Sequence, residues 1–201
     1  MATTILQRAH RRRAYIVFVD ETAFMLEPLV RRTLAPRGHT PILRLSEPHG
    51  RISAIGAMII SPRRMHFGFC YRLLVDNANF QSYSVVRFIE DVRRRIHSPI
   101  TLLWDQIPIH RTQILRAYLA THQRIVVEPF PPYAPELNPV DYVWSYVKYG
   151  RLANYCPFTL AELRERVAAE FSRLQKRPRL LESLFKRTGL TLELQEYRGD
   201  S

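Results

Sequence analysis

Two short apolar runs, each followed directly by an aspartate, constrain the fold of this chain most strongly. Residues 15–19 (YIVFV) precede Asp20, and residues 101–104 (TLLW) precede Asp105. Runs this short that are rich in β-branched and aromatic residues are typical of buried strands. We therefore expect two buried strands, each of which ends at a carboxylate.

The rest of the chain predicts an antiparallel meander followed by alternating helices and strands. Turns rich in proline and glycine divide residues 31–72 into short strand-like segments. Helical periodicity then begins, with apolar residues at i, i+4, i+7 and i+11. The predicted elements are a helix over residues 79–97, a strand over 100–104, a helix over 109–122 with Ile114, Leu115 and Leu119 inward, a strand over 125–127, a helix over 138–150, a helix capped by Thr159, and a last helix from 178 to about 187.

This order of elements predicts an α/β fold with a ribonuclease H-like mixed sheet of five strands flanked by helices. We expect residues 12–155 to form this domain and residues 156–201 to form a C-terminal helical extension. In such a sheet the first strand lies beside the strand that follows the first helix. Asp20 and Asp105 then become neighbours at one end of the sheet.

A third acid follows a segment rich in proline. Residues 131–139 (PPYAPELNP) lead into a helix for which Asn138 is a suitable N-cap. Asp141 therefore falls in the first turn, from which the helix can carry it over the two strand-end aspartates. Glu136 is the alternative third acid, but it precedes the N-cap. Each acid alone also has a structural explanation: Asp20 as the polar end of a strand, Asp105 as a turn residue, and Asp141 as a residue that favours its helix dipole.

Three carboxylates at one end of a sheet predict a two-metal phosphodiester site. Two divalent ions about 3.5–4 Å apart can activate an attacking oxygen and stabilise the leaving oxyanion. Magnesium binds one or two protein carboxylates per ion and keeps several waters. We expect Asp20 to bridge two Mg²⁺ or Mn²⁺ ions, and Asp105 and Asp141 to hold one ion each.

The net charge of +12 comes almost entirely from arginine, since only three of the 30 basic residues are lysines. The planar guanidinium binds phosphate through several donors, so this excess predicts a polyanionic partner such as DNA. A run of arginines also commonly forms a solvated face. The candidate DNA contacts are Arg11, Arg12, Arg13, Arg37 and Lys148, with Tyr133 as a candidate for stacking on an unpaired base.

Several classes of protein are disfavoured by the sequence. Cys70 and Cys156 have neither the spacing of a zinc site nor that of a disulfide framework. The longest apolar stretch, residues 54–60, is too short to span a bilayer, and the N-terminus lacks a secretory signal. We expect a cytoplasmic protein without a membrane partner.

Four motifs, taken in order, resemble the transposases of the bacterial insertion sequence 630 family. That family is the prokaryotic branch of the mariner-type DDE transposases. The resemblance covers roughly residues 12–155. It rests on residues 18–24 (FVDETAF), residues 35–41 (APRGHTP), Trp104 and Asp105 with His110, and residues 132–141 (PYAPELNPVD) with Trp144.

The resemblance implies a ribonuclease H-like catalytic domain that uses Mg²⁺ or Mn²⁺, cleaves at terminal inverted repeats and inserts at TA dinucleotides. It places the three metal-binding acids of the family on Asp20, Asp105 and Asp141. His110 also recurs in the pattern, where it could contact the scissile phosphate or a metal-bound water. Glu21 is a weaker candidate, because strand alternation points it away from Asp20.

Two residues depart from the family pattern, and one domain is expected elsewhere. The third acid is usually glutamate, but here it is Asp141, and Gln106 stands where an asparagine is common.

Full-length relatives carry N-terminal helix-turn-helix domains, whereas here the first acid is already at position 20. We expect the catalytic half of a nucleoid-associated bacterial transposase that acts as a homodimer on inverted repeats and target DNA. A helix-turn-helix product from an upstream reading frame is a candidate partner.

Two other functions remain open at this point. A ribonuclease H-like nuclease that acts on RNA–DNA hybrids needs an acid on the first helix, for which Glu90 and Asp91 are candidates. A transposase fragment that no longer cleaves and binds DNA by charge alone would keep the basic surface and the fold.

Overall fold

One mixed sheet of five strands forms the centre of the molecule. The structure is a computed structural model that describes residues 2–39, 42, 50–62, 65–74, 78–131 and 134–192. The strands are β1 (Tyr15–Met25), β2 (Arg51–Ile60), β3 (Phe67–Leu74), β4 (Ile100–Trp104) and β5 (Ile125–Pro129). Their order in the sheet is β3-β2-β1-β4-β5. Strand β2 pairs antiparallel with β1 and with β3, whereas β4 pairs in parallel with β1 and β5 in parallel with β4. The predicted five-stranded mixed sheet is confirmed.

Helices cover both faces of this sheet. They are α1 (Ala2–Arg11), α2 (Ser82–Arg95), α3 (Gln113–Ala120), α4 (Pro139–Ser145), α5 (Leu160–Gln175) and α6 (Pro178–Lys186). A π-helix, Tyr146–Arg151, continues α4, and short 3₁₀ turns lie at Pro108–Arg111 and Pro135–Leu137. Among the described residues, no helix has the length and apolar character that a membrane span requires.

Strand β1 is longer than predicted, and the prediction that it ends at Asp20 is wrong. Its antiparallel ladder with β2 runs from Ile16 to Met25 and carries the strand past the acid. The parallel ladder with β4 is shorter, and its last pair joins Phe18 to Leu103. Asp20 therefore lies two residues beyond that ladder, where β1 keeps a strand partner on one side only.

The alternation of side chains along β1 separates two hydrophobic layers. Val17 and Val19 pack in the layer that includes α2, whereas Phe18 and Phe24 pack in the layer that includes α4 and α5. Asp20 has the same parity as Phe18 and Phe24. Strand geometry alone therefore turns the first acid toward α4.

The predicted helix over residues 109–122 is interrupted. Thr112 has an extended backbone, with φ −69° and ψ 154°, and separates the 3₁₀ turn from α3. The break changes the face that α3 buries, so the prediction that Ile114 points inward is wrong and its side chain is 56% exposed. Leu115 is buried as predicted, and Leu119 packs partly against the core.

The N-terminal part of the chain differs from the predicted pattern in two places. Helix α1 was not expected; it buries Leu6 and Ala9, which lie three residues apart on one face. Residues 31–34 form no strand. Most of the next predicted segment, residues 40–45, lies outside the described part of the chain.

The two C-terminal helices share the core of the sheet. Phe185 of α6 packs against Phe18 of β1 with ring centroids 5.9 Å apart. Phe171 of α5 packs against Trp144 of α4 at 5.6 Å. The sheet, α4 and the C-terminal helices therefore bury one continuous hydrophobic cluster.

Glu170 links α5 to the π-helix through arginine. Its side chain is 3% exposed and accepts hydrogen bonds from Arg151 at 2.9 Å and Arg173 at 2.5 Å, with Arg166 at 3.5 Å. Burial favours the neutral carboxyl, but the three guanidinium groups outweigh it and lower the pKa of Glu170. The ionised carboxylate therefore stabilises the folded chain.

Replacing this carboxylate with an amide should destabilise the protein. Because the arginines are partly exposed, we expect Glu170→Gln to lower the free energy of unfolding by about 2 kcal/mol at neutral pH. The folded-state pKa is the lower one, so this difference should disappear as the pH falls through it. Urea unfolding at several pH values measures both effects. Glu165→Gln, an exposed position on the same helix, is the control, and equal losses in the two variants would contradict this role.

Candidate active site

The first and third predicted acids meet beside α4. The Asp20 carboxylate accepts a hydrogen bond from the indole Nε1 of Trp144 at 2.7 Å, and Asp141 lies close enough for the two carboxyl groups to interact electrostatically. Burial and the neighbouring Asp141 raise the pKa of Asp20 well above its usual range, and the Trp144 hydrogen bond opposes them. Burial also raises the pKa of Asp141. The carboxyl groups of Asp20 and Asp141 thus lie close together in a partly buried position.

Asn138 positions the helix that carries Asp141. Its Oδ1 accepts a hydrogen bond from the backbone N–H of Val140 at 3.1 Å, which confirms the predicted N-cap. Its Nδ2 donates to the carbonyl oxygen of Val19 at 3.4 Å. This second bond ties the start of α4 to the residue before Asp20. The segment before α4 therefore fixes the helix against β1 at the acid.

The second acid follows β4, as predicted, and is directed toward a histidine. Asp105 Oδ1 lies 2.8 Å from Nδ1 of His110 and accepts a longer bond from the backbone N–H of Ile107 at 3.3 Å. Burial favours the neutral carboxyl, but the interactions with His110 outweigh it and lower the pKa of Asp105. Its side chain remains 42% exposed, so it stays accessible to solvent although His110 holds one of its oxygens.

His110 bridges two acids. Its Nε2 lies 3.0 Å from Glu21 Oε1, its Nδ1 contacts Asp105, and its ring stacks on Trp104 with centroids 4.3 Å apart. Burial favours the neutral ring, but the hydrogen bonds to both carboxylates outweigh it and raise the pKa of His110 to about 9. The side chain is 1% exposed. A contact with a scissile phosphate is therefore not open to His110 in this arrangement, in which its Nδ1 instead contacts Oδ1 of Asp105.

Glu21 lies on the opposite side of β1 from Asp20, as strand alternation predicted. Its Oε1 bonds His110, while its Oε2 is buried without a hydrogen-bond partner among the described residues. Glu21 thus contacts the site through the histidine and not through the pair formed by Asp20 and Asp141.

Lys148 brings a positive charge to the pair of acids. It lies seven residues after Asp141 in the π-helix, and its Nζ donates to Thr22 Oγ1 at 2.6 Å and lies 5.3 Å from the ring centroid of Phe24. Burial lowers the pKa of Lys148, and the charges of Asp20 and Asp141 oppose that effect. Lys148 therefore faces the acids and not the outer surface.

Several candidate residues lie apart from this cluster. Glu136 is exposed in the turn before α4, so the structure favours Asp141 over it as the third acid. Residues 11–13 are exposed before the start of β1, and Arg37 is exposed in a turn. Gln106 donates to a backbone carbonyl at 3.4 Å. Tyr133 lies outside the described residues.

The carboxylates of Asp20, Asp105 and Asp141 are of the type that binds a divalent cation, although the three side chains are not arranged around a common point. In the described part of the chain, no three or more acidic, histidine or cysteine side chains form a group that could hold a metal ion as they stand. The pKa of Asp20 is nevertheless raised because Asp141 lies beside it, and a cation would stabilise both carboxylates in their ionised form. Oδ1 of Asp105 is held by His110, and its Oδ2 would complete the set.

The acids on α2 are held away from this cluster. Glu90 hydrogen-bonds Arg93 and Tyr118, and chiefly the Arg93 bond lowers its pKa. Asp91 pairs with Arg72 of β3. Neither acid has a described contact with the three aspartates, which disfavours the ribonuclease arrangement in which this helix supplies a ligand.

Comparisons with known structures confirm the expected ribonuclease H-like fold. The Mos1 mariner paired-end complex with Mn aligns with a TM-score of 0.64 and 17% identity, over 94% of this chain and 58% of that chain. The Mos1 strand transfer complex gives a TM-score of 0.58 and 18% identity over 96% and 60%. The catalytic domain of Mos1 mariner transposase gives 0.56 and 16% over 96% and 92%. This chain thus spans about three fifths of the Mos1 chains in those complexes.

Sequence comparison places the chain in a family. No curated protein matches it significantly. A model of the DDE superfamily endonucleases, however, matches residues 15–163, a range that contains all three aspartates. Because this match covers well over half of its residues, the chain belongs to the DDE superfamily endonuclease family.

Proposed function

We propose that this chain is the catalytic domain of a DDE transposase of the bacterial insertion sequence 630 branch. In this proposal it hydrolyses a phosphodiester at each transposon end, and the freed 3′-hydroxyl then attacks target DNA at a TA dinucleotide. The observation that carries the proposal is the meeting of Asp20 and Asp141 beside β1, with Asp105 at the end of the adjacent strand.

The three aspartates would hold two divalent ions, Mg²⁺ or Mn²⁺. Such ions, when bound, activate the attacking oxygen and stabilise the leaving oxyanion. In this arrangement Asp20 and Asp141 supply carboxylate oxygens from β1 and α4, and Asp105 supplies them from the end of β4. The shorter Asp141, where relatives carry glutamate, suits a helix whose first turn is tied to β1 by Asn138.

Lys148 is placed to contact the phosphate that reacts. Its half-buried side chain interacts electrostatically with Asp20 and Asp141, so a phosphate held beside these acids would lie near its amine. A cation at this point would neutralise a phosphate oxygen and orient the strand for attack. The proposed DNA contact of Lys148 is therefore beside the acids.

DNA is the proposed partner, as transposon inverted repeats and as target. Arg11, Arg12, Arg13 and Arg37 are exposed and suited to bind phosphates, which positions DNA without reading its sequence. Reading of the repeats is assigned to a helix-turn-helix product of an upstream reading frame, and the active complex to a homodimer. The bacterial nucleoid is the proposed location.

The proposal predicts that cleavage needs a divalent ion and Asp141 but not Glu136. We expect the chain, mixed with the upstream product, to cut a duplex carrying the inverted repeats that flank its gene, with Mg²⁺ or Mn²⁺ but not with EDTA. Asp141→Asn should lower the cleavage rate by on the order of 10³-fold, since several kcal/mol of charge stabilisation are lost. Gel analysis of end-labelled DNA measures the rate.

Glu136→Gln is the matched control, because Glu136 is exposed five residues earlier and lies outside the cluster. It should keep the parental rate. The reverse result, with Glu136→Gln inactive and Asp141→Asn active, would reassign the third acid. A parent chain that binds this duplex but never cuts it would support a non-cleaving DNA-binding fragment instead.

His110→Ala should weaken the reaction by misorienting Asp105. Because partners that orient metal ligands typically contribute 10–100-fold to metal affinity or activity, we expect a loss of about that size. The measurement is the cleavage rate as a function of Mn²⁺ concentration. His122→Ala is the control, since His122 stacks on Tyr118 in α3 and has no described contact with the aspartates. Equal rates in both variants would remove His110 from the site.

A further inference from the structure

We propose that Trp144 is a positioning residue for Asp20, and that Gly56 provides the space which the indole ring needs to reach that carboxylate. The inference rests on the proposed role of Asp20 as a metal-binding acid and adds two residues to the site.

The first observation is the hydrogen bond itself. Trp144 Nε1 lies 2.7 Å from Asp20 Oδ2, and the indole is a donor without acceptor capacity. The hydrogen bond therefore fixes one oxygen of Asp20 and restricts rotation of the carboxylate. The other oxygen takes no part in this bond.

The second observation is the packing that holds the indole. Its ring lies edge-on to Phe24 at 6.3 Å and to Phe69 at 6.1 Å, and it packs against Phe171 at 5.6 Å. Trp144 is 3% exposed. In a close-packed interior such a ring cannot rotate without moving its neighbours. The donor is therefore held in place before any ligand arrives.

The third observation is a glycine opposite the acid. Gly56 of β2 pairs with Asp20 in the antiparallel ladder. A Cβ at position 56 would lie 2.5 Å from Cη2 of Trp144 and 3.0 Å from Cζ of Phe69. Real Cβ atoms essentially never approach so closely, so only glycine accommodates the ring here. Because Gly56 has no side chain, the face of the sheet has free space next to Asp20, and the indole ring of Trp144 occupies it.

One turn of helix couples this donor to the third acid. Trp144 follows Asp141 by three residues, a spacing that puts both side chains on one face of α4. The same turn therefore brings a carboxylate and a hydrogen-bond donor to Asp20. A displacement of α4 would disturb both contacts at once, which links the geometry of the first acid to that of the third.

The hydrogen bond can be tested by NMR without any activity measurement. The chain has two tryptophans, Trp104 and Trp144, so its ¹⁵N spectrum contains two indole signals. We expect Asp20→Ala to shift the Trp144 signal and to speed its exchange with solvent, while the Trp104 signal stays near its parental position. An unshifted Trp144 signal in that variant would overturn the proposal.

The positioning role is tested by removing only the N–H group. Benzothienylalanine incorporated at position 144 keeps the bicyclic shape but has no donor, so the packing against Gly56 is preserved. We expect the affinity for Mn²⁺, measured by EPR in complex with the inverted-repeat duplex, to fall about 10–100-fold. The kcat of cleavage should fall with it, whereas KM for DNA and the melting temperature stay near parental values.

The outcomes separate this inference from the proposed function. Parental Mn²⁺ affinity and kcat in the benzothienylalanine variant would show that Trp144 only packs, and would overturn the inference. A parent complex that binds Mn²⁺ but cuts no DNA would overturn the proposed function, and the Mn²⁺ affinities would still decide the role of Trp144.

Discussion

Asp105→Ala is expected to abolish DNA cleavage while leaving DNA binding intact. The substitution removes a carboxylate that we assign to a catalytic metal ion, and a loss of several kcal/mol of charge stabilisation corresponds to on the order of 10³-fold in rate. Asp105 lies after the end of β4 and is 42% exposed, so the fold should tolerate alanine. Cleavage of end-labelled repeat DNA and fluorescence anisotropy measure the two properties separately.

Asp91→Ala is the matched control for this experiment. Asp91 is also a partly exposed aspartate, but it pairs with Arg72 on β3 and has no described contact with the three-aspartate cluster. We expect it to cleave at close to the parental rate. Cleavage by Asp105→Ala at the rate of the parent would contradict the three-acid assignment.

Gly56→Ala is expected to destabilise the folded chain by overpacking the space beside Trp144. The new methyl group would lie 2.5 Å from the Trp144 ring, so either the ring or the strand must move. Overpacking of this kind typically costs about 1–3 kcal/mol. Urea unfolding should show a lower midpoint with an unchanged slope. The cleavage rate should fall as well, because a displaced indole no longer holds Asp20.

Gly68→Ala provides the comparison in the same sheet. Gly68 lies in β3, and the nearest atom to its added Cβ is 3.9 Å away, which is an ordinary contact. We expect its unfolding midpoint to remain near that of the parent. Equal midpoints for the two alanine variants would contradict the close fit between Gly56 and Trp144.

Local patterns in the sequence were sufficient to predict the frame of the site. Short apolar runs predicted the strand that contains Asp20 and the strand that Asp105 follows. Asn138 predicted the start of the helix that contains Asp141. These signals are local, because strand burial and helix capping depend on residues close in the chain. The order of the elements then placed the two strands side by side, as the ladder between β1 and β4 confirms.

Contacts between distant residues could not be predicted in this way. Glu21 and His110 are 89 positions apart, and Trp144 and Asp20 are 124 apart, so no periodicity relates them. The extension of β1 beyond Asp20 depends on its pairing with β2, and the need for glycine at position 56 depends on a ring from α4. Such features require the tertiary fold, since a single sequence shows which residues are apolar but not which ones meet.

The most direct test of the central claim is anomalous diffraction from crystals of the chain with its repeat DNA and Mn²⁺. We expect Mn²⁺ peaks coordinated by Asp20, Asp105 and Asp141, with Trp144 Nε1 still bonded to Asp20 and the DNA phosphate next to Lys148. Peaks at other residues, with these three carboxylates free of metal, would contradict the assignment of this cluster as the active site.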